Sequence, residues 1–224
     1  MNPAIDFLID HAKDKAIATV LLSHGAGAPM DTPFMQHISQ NLAAENIQVI
    51  RFEFPYMAQR RTGGAKRPPN RQAELLACWQ QAINDAAIIG PLFIGGKSMG
   101  GRMASLLLAD DELRLSLKQT CAGLICLGYP FHPTNKPEKL RTEHLSKLNT
   151  QSLILQGSRD TLGNREEVDS YHLVNTIQTH WLEDGDHSFK PRKKSGRTLE
   201  QNMNEAVAVI SSFIHSQLAK TTNL

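Results

Sequence analysis

Apolar and polar positions alternate between two rhythms along this chain. Short, nearly all-apolar runs read as strands: 16–23, 47–54, 91–96, 121–130, 152–157 and 177–184. Between them lie longer stretches with the 3–4 residue spacing of amphipathic helices, at 33–45, near 71–87 and at 99–110. A last helix is predicted over 202–218, with Val207, Ile210, Phe213, Ile214 and Leu218 on one stripe. Strands that are apolar on both faces must be covered on both faces. The pattern therefore predicts an α/β protein with a mostly parallel, doubly wound sheet and helices on either side. In such sheets ligands bind beyond the carboxyl ends of the strands. There is no internal repeat. The longest irregular connection, about 129–150, is too short for a separate domain and long enough to wall a pocket, so one domain spanning 1–224 without a large cap is expected.

Composition narrows this little. The chain has 224 residues, 41% of them hydrophobic, with 24 basic and 22 acidic side chains. No run approaches a membrane span, and Met1 to Phe7 lack the basic start and apolar core of a secretion signal. Cys78, Cys121 and Cys126 form no CxxC pair and no disulfide framework, so buried thiols in a reducing, cytoplasmic setting are expected. The charge distribution is more informative. Segments 60–71 (RRTGGAKRPPNR) and 190–197 (KPRKKSGR) each carry five basic residues and no acid. Their Gly and Pro residues read as loops, and both follow predicted strands, so they are expected to rim the site. A positive rim would favour anionic substrates; the alternative is a pair of solvated loops. Neither segment has the interleaved aromatics of a nucleic-acid stacking surface, so no nucleic-acid partner and no membrane partner are expected.

The chemistry begins at Gly96-Lys97-Ser98-Met99-Gly100, a G-x-S-x-G between a predicted strand and a predicted helix. A sharp turn there lifts a serine hydroxyl clear of the sheet and aims the first helix amides, Met99 N–H among them, at charge developing beside it. A phosphate loop is excluded, because its first glycine would fall on Pro91. Gly25 and Gly27 fail the dinucleotide fingerprint at Met30.

A nucleophilic serine needs a base, and the base an orienting acid. His187 follows the last strand and Asp160 follows the strand at 152–157, so both share the sheet edge of Ser98. His37, His172 and His215 fall in predicted helices, and Asp184 and Asp186 are chain neighbours of His187 with a poor approach to its ring. The order Ser98, Asp160, His187 is a triad order. Ala26 N–H, after the first long strand, is the second oxyanion donor paired with Met99, and His24 reads as structural.

With these motifs the chain resembles the α/β-hydrolase superfamily, in its dienelactone-hydrolase-like branch. The resemblance spans about 16–218 and rests on HGAG (24–27), GGKSMGGR (95–102), GYPFHP (128–133), KPEKLRTEHL (136–145), QGSRD (156–160) and GDHSF (185–189). It implies a serine-nucleophile hydrolase fold with no metal and no organic cofactor. Dienelactone hydrolases use a cysteine nucleophile where this chain has Ser98, so their lactone substrate is not carried over. The branch also resembles hydrolase-like domains of some eukaryotic scaffold proteins, and fold alone does not decide activity.

Tyr56 and Tyr129 follow strands and are candidates to line an acyl pocket. Arg102, four residues after Ser98, is expected either to bind a substrate carboxylate or, preferably, to pair with Glu53. His132 and His144 lack metal-ligand spacing. Two readings result: a serine-dependent acyl hydrolase acting on a small ester or thioester through an acyl-enzyme, or a catalytically silent binding or scaffold protein on the same fold.

Overall fold

The computed structural model describes residues 4–222, with the side chains of 221 and 222 left aside. Part of the amino-terminal segment read against a secretion signal, residues 1–3, lies outside the described residues. In chain order the elements are β1 (Phe7–Asp10), β2 (Ala18–Ser23), α1 (Pro33–Ala44), β3 (Ile47–Phe52), α2 (Pro55–Arg61), α3 (Gln72–Asp85) and β4 (Leu92–Lys97). They continue as α4 (Met99–Ala109), α5 (Asp111–Leu115), β5 (Cys121–Leu127), β6 (Ser152–Gly157), α6 (Arg165–Val168), β7 (Ile177–Leu182) and α7 (Leu199–Thr222).

The strands form one sheet in the order β1-β3-β2-β4-β5-β6-β7. β2 to β7 are mutually parallel, and β1 pairs antiparallel with β3 along the edge. This is the doubly wound α/β sheet that the apolar strands required. One face is covered by α1 and α7, whose Ile38, Leu42, Ile210 and Ile214 meet Val20, Val49 and Leu153 of the sheet. The other is covered by α3 and α4, with Trp79, Leu107 and Leu108 against Ile50, Ile94 and Leu124. No separate cap interrupts the strand order; the β5–β6 connection holds only a 3₁₀ turn at Glu143–Lys147.

The departures from the sequence reading have local causes. Pro55 opens α2, its missing N–H being one of the free amides of a first turn, and the helix runs to Arg61. Arg60 and Arg61 are therefore helical, not loop, and they sit where a helix carboxyl end favours cations. β1, α5 and α6 are too short to leave a periodic signal. β5 ends at Leu127 because Gly128 turns with φ +67°. His172 lies outside any helix, at φ +42° between α6 and β7.

Candidate active site

Ser98 occupies the single residue between β4 and α4, at φ 52° and ψ −114°. A positive φ is costly for a residue with a Cβ and persists only where the surroundings enforce it. Here they do. Ser98 N–H donates to Leu127 O at 3.0 Å, and Ser98 O accepts the Arg102 N–H at 3.1 Å as the first helical bond. Both flanking glycines are required by β2. A Cβ on Gly96 would overlap the Ser23 carbonyl, and one on Gly100 would overlap the Ser23 hydroxyl and lie 2.7 Å from His24 O. The turn is thus pressed against the neighbouring strand, and its serine is left projecting at the carboxyl edge.

His187 Nε2 lies 2.9 Å from Ser98 Oγ, and His187 Nδ1 lies 2.7 Å from Asp160 Oδ2. An ionised carboxylate only accepts, so Nδ1 carries the ring proton and the lone pair of Nε2 faces the serine hydroxyl. Asp160 is fully buried. Its Oδ2 also accepts from Gln156 Nε2 at 2.9 Å and its Oδ1 from Leu162 N–H at 2.9 Å. Gln156 is itself locked, its Oε1 accepting the Tyr129 N–H at 2.7 Å. The buried charge therefore meets a fixed set of donors.

The competing carboxylates are occupied elsewhere. Asp184 is gripped by Arg192 and lies 2.9 Å from Arg159; the Arg192 contact holds its acid down to about 2. Asp186 Oδ1 accepts the Ser188 and Lys190 N–H groups at 2.8 and 3.0 Å, which turns the loop that carries His187. Lys97 Nζ donates to His187 O at 2.6 Å and sits over the Phe34 ring at 5.4 Å. Burial pushes the Lys97 ammonium down to about 8, with Asp160 and Asp186 opposing.

The loop after β2 has its carbonyls tied inward. His24 Nε2 accepts the Phe54 N–H at 3.1 Å, so the ring is neutral and its Nδ1–H donates to Gly25 O at 2.6 Å. Burial lowers the His24 pKa, which favours that neutral form. The Tyr56 hydroxyl donates to Ala26 O at 2.9 Å. No peptide here is cis. In a trans peptide the N–H points opposite to the preceding carbonyl. The Ala26 and Gly27 N–H groups are thereby turned away from His24 and Tyr56. The Met99 N–H belongs to the first turn of α4, where amides have no intrahelical acceptor.

A cleft of about 400 Å³ opens beside Ser98 and His187, lined also by Gly25 to Pro29, by Phe34 and by Lys97. Three predicted pocket residues are absent from it. Tyr56 is buried behind the β2 loop. Tyr129 is buried too, its hydroxyl donating to Arg141 O at 2.8 Å. Arg102 lines a different cavity, and the pair with Glu53 does not form: Arg61 grips both Glu53 oxygens at 2.7 Å. The expected basic rim is also displaced. No residue of 60–71 or 190–197 lines the cleft, and Arg61, Arg192 and Arg197 are held by Glu53, Asp184 and Glu205. Phe34 and Lys97 went unpredicted; for Lys97 its place beside the serine within the motif was the available signal.

Among the described residues no group of three or more His, Cys, Asp or Glu side chains is placed to hold a metal ion. None of the described helices is long and apolar enough to cross a membrane. Burial pushes the Cys78 thiol up to about 12 and raises that of Cys126 as well.

A sequence model of one family, described as alpha/beta hydrolase domain, matches residues 16–215. Among solved structures, a dienelactone hydrolase from Anabaena variabilis superposes with a TM-score of 0.67 at 14% identity, over 94% of this chain and 91% of that one. A serine hydrolase without a lid from Xanthomonas campestris gives 0.62 at 18% identity, over 93% and 89%. An alpha-beta serine hydrolase homologue from Coxiella burnetii gives 0.65 at 16% identity, over 91% and 90%. At these identities the likeness is one of fold.

Proposed function

The chain belongs to the alpha/beta hydrolase family, and from that premise we propose that it is a serine-dependent acyl hydrolase cleaving a small ester or thioester. The observation that carries this reading is the unbroken hydrogen-bonded series Ser98–His187–Asp160, at 2.9 and 2.7 Å. Ser98 Oγ attacks the acyl carbonyl while its proton passes to His187 Nε2. Asp160 holds the imidazole and stabilises the imidazolium. The Ala26 and Met99 N–H groups receive the oxyanion, the first aimed by His24 and the second by the start of α4. His187 then returns the proton to the leaving oxygen or sulfur as the tetrahedral intermediate collapses to the acyl-enzyme. Water, deprotonated by His187, releases the acid and restores Ser98.

The cleft supports an uncharged acyl group of modest size. Its walls include Ala28, Pro29, Pro33 and Phe34. Lys97 is the cation among its lining residues, and its ammonium is turned to the His187 carbonyl. An anionic preference has no support from the two basic segments.

A fluorophosphonate probe tests the reading, because it reacts only with a serine whose proton is removed by a neighbouring base. Labelling of the folded protein at Ser98, lost in Ser98→Ala, with hydrolysis of p-nitrophenyl esters, is the expected result. A folded protein that neither labels nor turns over any ester or thioester is a binding protein on a hydrolase fold.

A further inference from the structure

A second cavity, of about 570 Å³, shares no lining residue with the cleft at Ser98. Its walls come from α3, α4, the start of α5 and the β5–β6 connection. Arg102 enters it from the second turn of α4, and Arg141, His144 and Lys147 from the connection. The Nε of Arg102 is wholly enclosed and has no hydrogen-bond partner. Among the described residues, none of the ion pairs includes Arg102 or Arg141. Burial lowers the Arg102 pKa and the nearby Arg141 charge adds to that, with Tyr129 opposing.

The acids around this cavity do not answer that charge. Asp110 Oδ1 caps α5 by accepting the Leu113 N–H at 3.0 Å, and Asp111 pairs with Arg114 at 2.7 Å. Glu143 lies in the 3₁₀ turn and, among the described residues, pairs with neither arginine. His144 is no substitute cation. Burial and Arg102 push it down to about 4, and its Nε2 lies 2.8 Å from Ser105 Oγ. Two partly exposed guanidinium groups thus line one open cavity, and no carboxylate is within ion-pair distance of either among the described residues. A partly desolvated cation without a counter-ion carries a free-energy cost that a bound anion would offset.

We infer that this cavity is a binding site for a small organic carboxylate, gripped by Arg102 and Arg141. A guanidinium presents a planar fork that matches the two oxygens of a carboxylate. Part of the wall is apolar, from Leu76, Leu106, Ala109 and the half-exposed Leu140, and receives a short hydrocarbon body, while Gln72, Asp110, Asp111, Glu143 and Lys147 make the rest of it polar. The volume lies within the range of small-molecule sites, about 300–1,000 Å³. The site stands on Arg102 and Arg141 and does not depend on Ser98 acting as a nucleophile.

Calorimetric titration tests it on the full chain, using hexanoate, the neutral isostere hexanamide, and inorganic phosphate. Hexanoate is expected to bind, and hexanamide to bind at least about tenfold more weakly for want of a charge-assisted contact. Arg102→Gln and Arg141→Gln should each weaken hexanoate at least about tenfold, in Ser98→Ala protein as well as in wild type. Hexanoate seated at the Ser98 cleft would be indifferent to both arginine variants, and that outcome overturns the inference. So do equal binding of hexanamide, tighter binding of phosphate than of hexanoate, or no binding at all. Arg141→Gln, on an irregular connection, keeps the test decisive if Arg102→Gln fails to fold.

Discussion

The Tyr56 hydroxyl donates a 2.9 Å hydrogen bond to the carbonyl of Ala26, thirty residues earlier, on the loop beside Ser98. That bond holds a peptide whose neighbour supplies a proposed oxyanion donor. In Tyr56→Phe the loop loses one net hydrogen bond of about 1 kcal/mol, equivalent to roughly five- to tenfold. The expected result is a kcat lowered by that factor for p-nitrophenyl acetate with KM unchanged. A raised KM with an unchanged kcat would instead make the hydroxyl a substrate contact.

Ser98→Ala removes the proposed nucleophile and keeps the backbone. Alanine inherits the same φ of 52°, so the strain of the turn is unchanged. Turnover should fall by at least about 10³-fold, with a thermal midpoint close to that of the parent. Residual turnover near the parent level would place the nucleophile elsewhere.

Asp160→Asn tests the buried acid. Its carboxylate accepts from His187, Gln156 and the Leu162 N–H. An amide at that place sets an NH₂ against one of these donors. We expect turnover lower by about 10⁴-fold, as for the loss of the orienting acid from a triad. Chemical denaturation should register a stability loss of about 1–3 kcal/mol for the unsatisfied buried groups.

Acid should destabilise this fold through buried neutral histidines. Burial lowers the pKa of His24, and burial with the Arg102 charge lowers that of His144 to about 4. The unfolded chain titrates histidine near about 6.5, so below that pH it binds more protons than the native state. The stabilising contribution is complete above about pH 6.5 and declines as pH falls from there toward the folded values. Thermal midpoints followed from pH 8 to 4 should drop across this window, and His144→Gln should flatten the drop. Parallel curves for variant and parent would show that His144 is not among the groups responsible.

Gly100→Ala asks for space that the fold does not have. The new Cβ would overlap the Ser23 hydroxyl and press on the Ser23 and His24 carbonyls at 2.7 Å, at the end of β2 and the residue after it. Overpacking of this kind costs about 1–3 kcal/mol. Denaturant titration should find it, together with lost turnover as the turn shifts.

Much of this protein can be read from residue order. Unbroken apolar runs such as SLILQG (152–157) must be covered on both faces, and this alone demands the parallel sheet. The motif at 96–100 is local, so its strand–turn–helix context is visible in the sequence. Parallel strands send all their carboxyl ends to one edge, and so Ser98, Asp160 and His187 could be assigned a shared edge before any coordinate. The same reading misplaced Tyr56, Arg102 and Tyr129, which also follow strands or begin a helix at that edge.

The tertiary structure alone decided where those side chains point. Glu53 is claimed by Arg61 because α2 folds back over the end of β3, and Arg102 is left facing Arg141 across another cavity. Phe34 reaches the cleft because α1 brings its amino end beside the serine turn, and Lys97 because it ends β4 next to Ser98. Periodicity and strand order are properties of neighbouring residues, so they survive in the sequence. The direction of a long side chain is set by which partner, remote in the chain, offers it charge or space first, and that competition is resolved only when the elements pack.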